Sequence, residues 1–368
     1  MRKIVLILLA LALVSSVVAS SVLAYHFKHE GDKLSSEISA LEKETNELAS
    51  EIAALKEETE GLSSEIADKE AAARRAIIAA LEIGTTPEAI AAAIPGFITD
   101  DVGRMVFIES APERIVSLAP SCTEILFALG LGNKVVGVTN YCDYPEEALA
   151  KPEVGTAFPG FSIEKIVSLE PQLVLSIAGT VITQLENVGL TVIVLQPEGI
   201  SGVLKDIALV GGITNKEEEA TALLDMMKER IVDITVRAAA VVEKPAVFYE
   251  VDASWNENKP WTTGSNTFQD DLINLAGGRN IAAGRSGWYE ISIEEILDTD
   301  PDLIILEDYQ YGVTPESVAN RSAWKGLTAV KGGEIYPIID PNLTCRQGPR
   351  IVDGLEEIAR IIHPELFE

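Results

Sequence analysis

The spacing of hydrophobic and polar positions changes character three times along this chain, and each change predicts a different kind of element. Behind the basic start Met1-Arg2-Lys3, residues 4 to 24 are apolar or small and carry no charge. As a helix they span roughly 31 Å, about one bilayer core. Residues 1–25 therefore read as a signal peptide or a membrane anchor, and the length favours the anchor. In either case the basic end stays inside and the rest is exported. No cysteine follows the segment, which excludes bacterial-type lipidation there.

A heptad comes next. Leu34, Ile38, Leu41, Thr45, Leu48, Ile52, Leu55, Thr59, Leu62 and Ile66 recur in steps of four and three. That spacing predicts a coiled-coil stalk over residues 30–70, with a seam of roughly 50 Å. Alternating Ile and Leu suit a parallel homodimer. Glu51 and Lys56 would attract across such a pair, whereas Glu37 and Glu42 would repel, and a monomeric helical spacer fits the same pattern. Residues 71–112 read as an Ala-rich helical segment, interrupted at Gly84-Thr85-Thr86-Pro87, that leads into a connecting strand or loop.

From residue 113 the pattern changes again, to short continuous apolar runs alternating with helical stripes. This predicts mainly parallel sheets covered by helices. Strand candidates in an N-terminal lobe, residues 113–214, are Arg114 to Leu118, Val135 to Thr139, Leu173 to Ile177 and Thr191 to Leu195. In a C-terminal lobe, residues 244–368, they are Ala246 to Val251, Leu303 to Leu306 and Glu334 to Ile339. Between the lobes, residues 215–243 hold one long helix from Lys216 to Val242. Its apolar stripe is Ala220, Leu223, Leu224, Met227, Ile231, Ile234 and Ala238.

An internal repeat relates the lobes. Ser162-Ile163-Glu164-Lys165-Ile166 before Pro171-Gln172-Leu173 matches Ser292-Ile293-Glu294-Glu295-Ile296 before Pro301-Asp302-Leu303. Each Ser is a good helix N-cap, and each Glu falls in a first turn, where the helix dipole favours an anion.

Composition narrows the function. A net charge of −28 excludes nucleic acid as a partner. The histidines His26, His29 and His363 all lie outside the body of the chain, so neither a His-rich metal site nor a His-dependent triad is expected. Cys122, Cys142 and Cys345 are scattered and read as free buried thiols, although one bridge is compatible with their number. There is no phosphate loop, no Gly-x-Ser-x-Gly elbow and no metal-ligand spacing, which argues against an enzyme. Ala276-Gly277-Gly278-Arg279 follows a helical pattern, so it is not a dinucleotide fingerprint.

Aromatic residues make up only 6% of the chain, yet they gather in the segments that flank the strands. Tyr141 and Tyr144 follow one strand, Phe158 and Phe161 precede Ser162, Trp255 and Trp261 follow another strand, and Trp288 and Tyr289 precede Ser292. Ligands of open α/β sheets bind beyond the strands' carboxyl ends. An aromatic cleft with few charges suits a large, partly apolar ligand better than an inorganic ion.

At these residues the sequence resembles the substrate-binding proteins of ABC importers for cobalamin, iron-siderophores and haem. The markers are Pro112-Glu113-Arg114-Ile115-Val116-Ser117-Leu118-Ala119-Pro120, Thr123-Glu124-Ile125-Leu126-Phe127-Ala128-Leu129-Gly130, Asp143-Tyr144-Pro145 and Ala276-Gly277-Gly278-Arg279-Asn280-Ile281. Trp261-Thr262-Thr263-Gly264 and Tyr141 point to the cobalamin branch. The resemblance implies an α/β fold of two similar lobes joined by a single long helix. It implies no catalytic role, no metal and no cofactor. Tyr141, Phe158, Trp261, Trp288 and Asp340 would contact a corrinoid. Glu164 and Glu294 would dock on an importer's permease dimer, which works with its ATPase subunits, at the extracytoplasmic face of the membrane. A ferric siderophore or haem is the rival ligand, kept open by Arg285 and Arg346. A stalked structural or adhesion protein is the rival class.

Overall fold

The computed structural model describes residues 96–367 apart from positions 159 and 178, a helical stretch at 43–57, and the isolated positions 15, 39, 60 and 61. The chain divides into two compact units, residues 1–75 and 76–368. In the first unit, the half-buried positions of the 43–57 helix are Thr45, Leu48, Ile52 and Leu55, and the others are exposed. These are the heptad positions. The rest of the expected stalk and nearly all of the expected anchor lie outside the described residues. Among the described residues, no helix is long and apolar enough to cross a membrane.

The described residues of the second unit begin with a hairpin where a connecting strand or loop is expected. Strand β1 (Gly96–Thr99) pairs antiparallel with β2 (Met105–Ile108). Asp100 in its turn is buried, and accepts hydrogen bonds from the Arg104 side chain and from the Val194 N–H.

The N-terminal lobe runs β3 (Ile115–Ser117), α1 (Pro120–Ala128), β4 (Val135–Gly137), α2 (Ile163–Ser168), β5 (Leu173–Ser176), α3 (Val181–Asn187), β6 (Val192–Val194) and α4 (Gly199–Ile213). Its four strands are parallel, in the order β4-β3-β5-β6. Every residue of β3, β5 and β6 is buried, which is why they read as unbroken apolar runs.

Helix α5 (Glu217–Ala238) leads to the C-terminal lobe, ending four residues before the expected Val242. It packs closely on α4: a Cβ on Gly211 would collide with the Ala220 methyl. The lobe continues with β7 (Ala246–Asp252), β8 (Trp261–Thr263), α6 (Phe268–Leu275), β9 (Arg279–Asn280), β10 (Trp288–Glu290), α7 (Ile293–Thr299), β11 (Leu303–Leu306), α8 (Pro315–Ala319), α9 (Thr328–Gly332), β12 (Ile335–Pro337), α10 (Asn342–Cys345) and α11 (Ile351–Ile362). Strands β7, β11 and β12 are parallel, as expected. The ribbon β8–β10, joined antiparallel to β7, lies in segments where the apolar pattern predicts no strand. Gly277 explains the Gly-Gly pair at the end of α6: its φ of +82 turns the chain out of the helix into β9.

The repeat is structural as well as sequential. Ser162 and Ser292 each accept the backbone N–H three residues on. Glu170 and Asp300, which precede the matching prolines, both have positive φ, 48 and 40. Two residues further, Gln172 accepts the Glu113 and Arg114 N–H groups, and Asp302 accepts the Ala246 N–H. In each lobe the same device fastens the start of a central strand.

Candidate ligand-binding cleft

Large apolar side chains stand in solvent at the carboxyl ends of the parallel strands. Tyr141 and Tyr144 follow β4, Ile177 follows β5, Trp255 follows β7, Tyr309 and Tyr311 follow β11, and Ile339 follows β12. Phe158 is 87% exposed, on the tip of a loop closed by the Gly155–Phe161 bridge. None of these rings serves the core, and concentrated apolar exposure marks a binding surface.

Trp261 and Trp288 come together on the β8–β10 ribbon. Trp288 is opposite Thr263, and Trp261 is opposite Glu290. Alternate residues share a face, so both indoles lie on one face as a diagonal pair, about 7–8 Å apart along the backbone. The Trp288 ring packs on Phe268 with centroids 5.8 Å apart, and its Nε1–H donates to Gln269 Oε1 at 3.2 Å. About half of each indole's surface is left to solvent.

The lobes meet in an ionic cluster centred on Glu124, a nearly fully buried residue of α1. Arg350 donates to it through Nε at 3.0 Å and Nη2 at 2.8 Å, and Arg346 through Nη1 at 3.1 Å. Arg346 also donates to Asp143 at 2.6 Å and to the Tyr141 carbonyl at 3.3 Å. Arg350 reaches Asp340 at 3.3 Å and stacks 4.0 Å from the Tyr144 ring centroid. The Arg346 hydrogen bond holds the Asp143 carboxyl below its ordinary range. Two further contacts close the junction. The Gln347 side chain donates to the Pro197 carbonyl, and Asp271 of α6 accepts the Ile200 N–H in the first turn of α4.

Behind the ribbon runs a buried polar chain. Gln269 Nε2 donates to Glu307 Oε2 at 3.4 Å, Glu307 hydrogen-bonds the Tyr249 hydroxyl, and Tyr249 lies 3.0 Å from Thr344 Oγ1. Burial pushes the Glu307 carboxyl up to about 7, against the pull of these hydrogen bonds.

The expected ligand-binding residues thus fall into linked groups. Tyr141 and Asp340 are joined through Arg346, Glu124 and Arg350, Trp261 and Trp288 share the ribbon, and Phe158 stands alone on its loop. Glu164 and Glu294 are exposed in the first turns of α2 and α7, at matching places of the repeat. Arg346, read as available to an anionic ligand, is instead bound by two carboxylates. Arg285 is likewise paired with Glu295 and stacked on Tyr289. All three cysteines are free; Cys122 and Cys142 are buried as expected, whereas Cys345 is exposed. Among the described residues, no group of three His, Cys, Asp or Glu side chains is arranged for a metal ion.

Comparison with known proteins agrees with this architecture. An uncharacterized ABC transporter substrate-binding lipoprotein, YvrC of Bacillus subtilis (strain 168), is 37% identical over 74% of this chain and 87% of its own. A cobalamin-binding protein of Halobacterium salinarum is 30% identical over 70% of this chain and 71% of its own. Among solved structures, a possible iron-binding (periplasmic solute-binding) protein of Staphylococcus epidermidis ATCC 12228 superposes with a TM-score of 0.61 at 28% identity, over 69% of this chain and all of that one. Residues 115–341, which span nearly all of the N-terminal lobe, the helix after it and most of the C-terminal lobe, match the family described as periplasmic binding protein, and the chain belongs to that family.

Proposed function

We propose that this chain is the extracytoplasmic substrate-binding component of an ABC importer, and that it captures cobalamin or a related corrinoid between its lobes. The importer role is supported by the YvrC likeness, and the corrinoid by the Halobacterium cobalamin-binding protein. The first cysteine of the chain is Cys122, so a tether would be the N-terminal apolar segment itself.

One observation carries the choice of ligand: the cleft exposes aromatic rings while its guanidinium groups are already neutralised. Arg346 and Arg350 face the carboxylates of Glu124, Asp143 and Asp340. An anionic siderophore or haem propionate would have to displace a carboxylate to gain a cation. A corrinoid, a wide ring rimmed by neutral amides, needs apolar faces and hydrogen-bond partners. Tyr141 and Phe158 from one lobe and Trp261 and Trp288 from the other supply the faces, and Asp340 accepts from an amide. A buried ring contributes several kcal/mol gross at about 25 cal/mol per Å². Glu164 and Glu294, equivalent anions on equivalent helices, suit a permease surface with pseudo-twofold symmetry.

The likeness to the Staphylococcus protein makes iron complexes the alternative. Calorimetric titration of the full chain with cyanocobalamin, cobinamide, a ferric hydroxamate siderophore and haem decides between them. Heat with a corrinoid and none with the siderophore or haem is expected. Silence with both corrinoids would overturn this ligand.

A further inference from the structure

Glu307 follows the last residue of β11, where the sheet opens toward the cleft, yet its side chain points into the lobe and is almost fully buried. No Lys or Arg pairs with it among the described residues. Its surroundings are Gln269 from α6, the Tyr249 hydroxyl from β7 and the Cys345 thiol from α10. Its neighbour Asp308 faces elsewhere, accepting the Ala253 N–H near the Glu250–Arg321 ion pair. Arg346, at the C-terminal end of α10, is engaged by Glu124 and Asp143.

The hydrogen bonds around Glu307 have enforced directions. An indole N–H can only donate, so Gln269 must turn its oxygen to Trp288 and its amide hydrogens to Glu307. On the other side, Tyr249 donates to Thr344 Oγ1 at 3.0 Å and Thr344 donates to the Pro341 carbonyl at 3.3 Å. That sequence is complete only when Glu307 carries a proton to give to the Tyr249 oxygen. With Glu307 ionised, the Tyr249 proton turns to the carboxylate, and Thr344 loses its donor. One proton therefore reverses the hydrogen bonds on the Tyr249 side, which ends at α10, next to the interlobe arginines. On the Gln269 side, where the direction is fixed, it weakens the charge-assisted bond that holds the amide against the cleft indole.

We propose that Glu307 is a positioning residue of the cleft, whose protonation sets how Trp288 and α10 are presented and thereby how tightly ligand is held. The last clause rests on the reading of the cleft as the ligand site; the positioning itself does not.

The two parts are tested together on the full chain in detergent. The Trp288 indole resonance, assigned by its loss in Trp288→Phe, is followed by 15N NMR from pH 5.5 to 8.5. In the wild type it shifts with a midpoint near 7. In Glu307→Gln, whose amide N–H imitates the carboxylic acid, it does not shift. Gln269→Leu, which cuts the chain on the indole side, also abolishes the shift and serves if the Glu307 variant fails to fold. Calorimetry with cyanocobalamin, whose charge is constant over this range, gives an affinity that changes at least about threefold between pH 6 and 8 in the wild type and stays level in Glu307→Gln. A wild-type resonance that ignores pH, or titrates equally in Glu307→Gln, overturns the proposal. If the resonance titrates but no corrinoid binds, the positioning role stands and the ligand assignment falls.

Discussion

Replacing Glu124 with Ala removes the one carboxylate that both interlobe arginines share. Three charge-assisted hydrogen bonds are lost at once, from Arg346 Nη1 and from Arg350 Nε and Nη2. The Glu124 side chain is 1% exposed, and the arginines are 10% and 14% exposed, so water cannot freely replace it. Breaking a buried pair on one side costs about 3–5 kcal/mol, chiefly because the partner charge stays buried. Here the arginines retain Asp143 and Asp340, whose side chains are 53% and 44% exposed. That places the expected loss at the lower end, about 3 kcal/mol. For a unit of this size it corresponds to roughly 6–12 °C in Tm. Differential scanning calorimetry of wild type and Glu124→Ala measures it. The double variant Glu124→Ala with Arg350→Ala should recover part of the loss, because one uncompensated charge is gone. Raising the salt concentration should narrow the gap little, since buried pairs are poorly screened. A single variant within about 2 °C of wild type would refute the reasoning, and the cluster would then be a surface contact of the exposed kind.

Two further outcomes follow from other parts of the fold. Asp206 on α4 is 1% exposed; burial first and the facing Asp101 second push its carboxyl up to about 9. Its folded value lies above the ordinary 3.8, so its stabilisation is complete below about pH 4 and is lost as pH rises toward 9. Asp206→Asn, whose amide can donate to Asp101, should therefore flatten the fall of Tm between pH 5.5 and 8.5; parallel melting profiles would rule this out. Replacing Glu164 and Glu294 together with Ala should abolish uptake in cells carrying the importer and leave calorimetric affinity unchanged; unchanged uptake, or lost ligand affinity, would count against docking through these residues.

How much of this was legible depended on whether each residue's role was local. Strands β3, β5, β6, β7 and β11 were readable because they are buried on both faces, and burial forces continuous apolar runs. The helix starts at Ser162 and Ser292 were readable because capping is decided within four residues. The β8–β10 ribbon was not. Its strands are three residues each, too short to show alternation, and tertiary pairing makes them strands. The aromatic residues stand out in the sequence only as flanking the predicted strands, whereas the ribbon is what aligns Trp261 with Trp288. The Glu124 cluster was hidden by separation: its partners lie 222 and 226 residues away. A signal did exist, since Glu124 is a lone charge just ahead of the apolar Ile125-Leu126-Phe127. Glu307 had one too, as the residue that follows the buried run Leu303 to Leu306.

The charge balance of the cleft joins these observations. A chain of net charge −28 repels anions at long range, and a receptor for anionic complexes would need cations reserved for its ligand. Here the two arginines at the lobe junction serve the protein: they tie α1 to α10 and α11, and their charge is matched before any ligand arrives. What the cleft leaves unsatisfied is apolar surface, with an acceptor at Asp340. If the balance is what selects against anions, relieving it should change the selection. Asp143→Asn combined with Asp340→Asn leaves Glu124 alone against two guanidinium groups. That variant should gain affinity for a ferric siderophore, while its corrinoid affinity falls only modestly, because the amide oxygen that replaces the Asp340 carboxylate still accepts a hydrogen bond. A double variant that binds siderophore no better than wild type would mean that shape, not charge, keeps such ligands out.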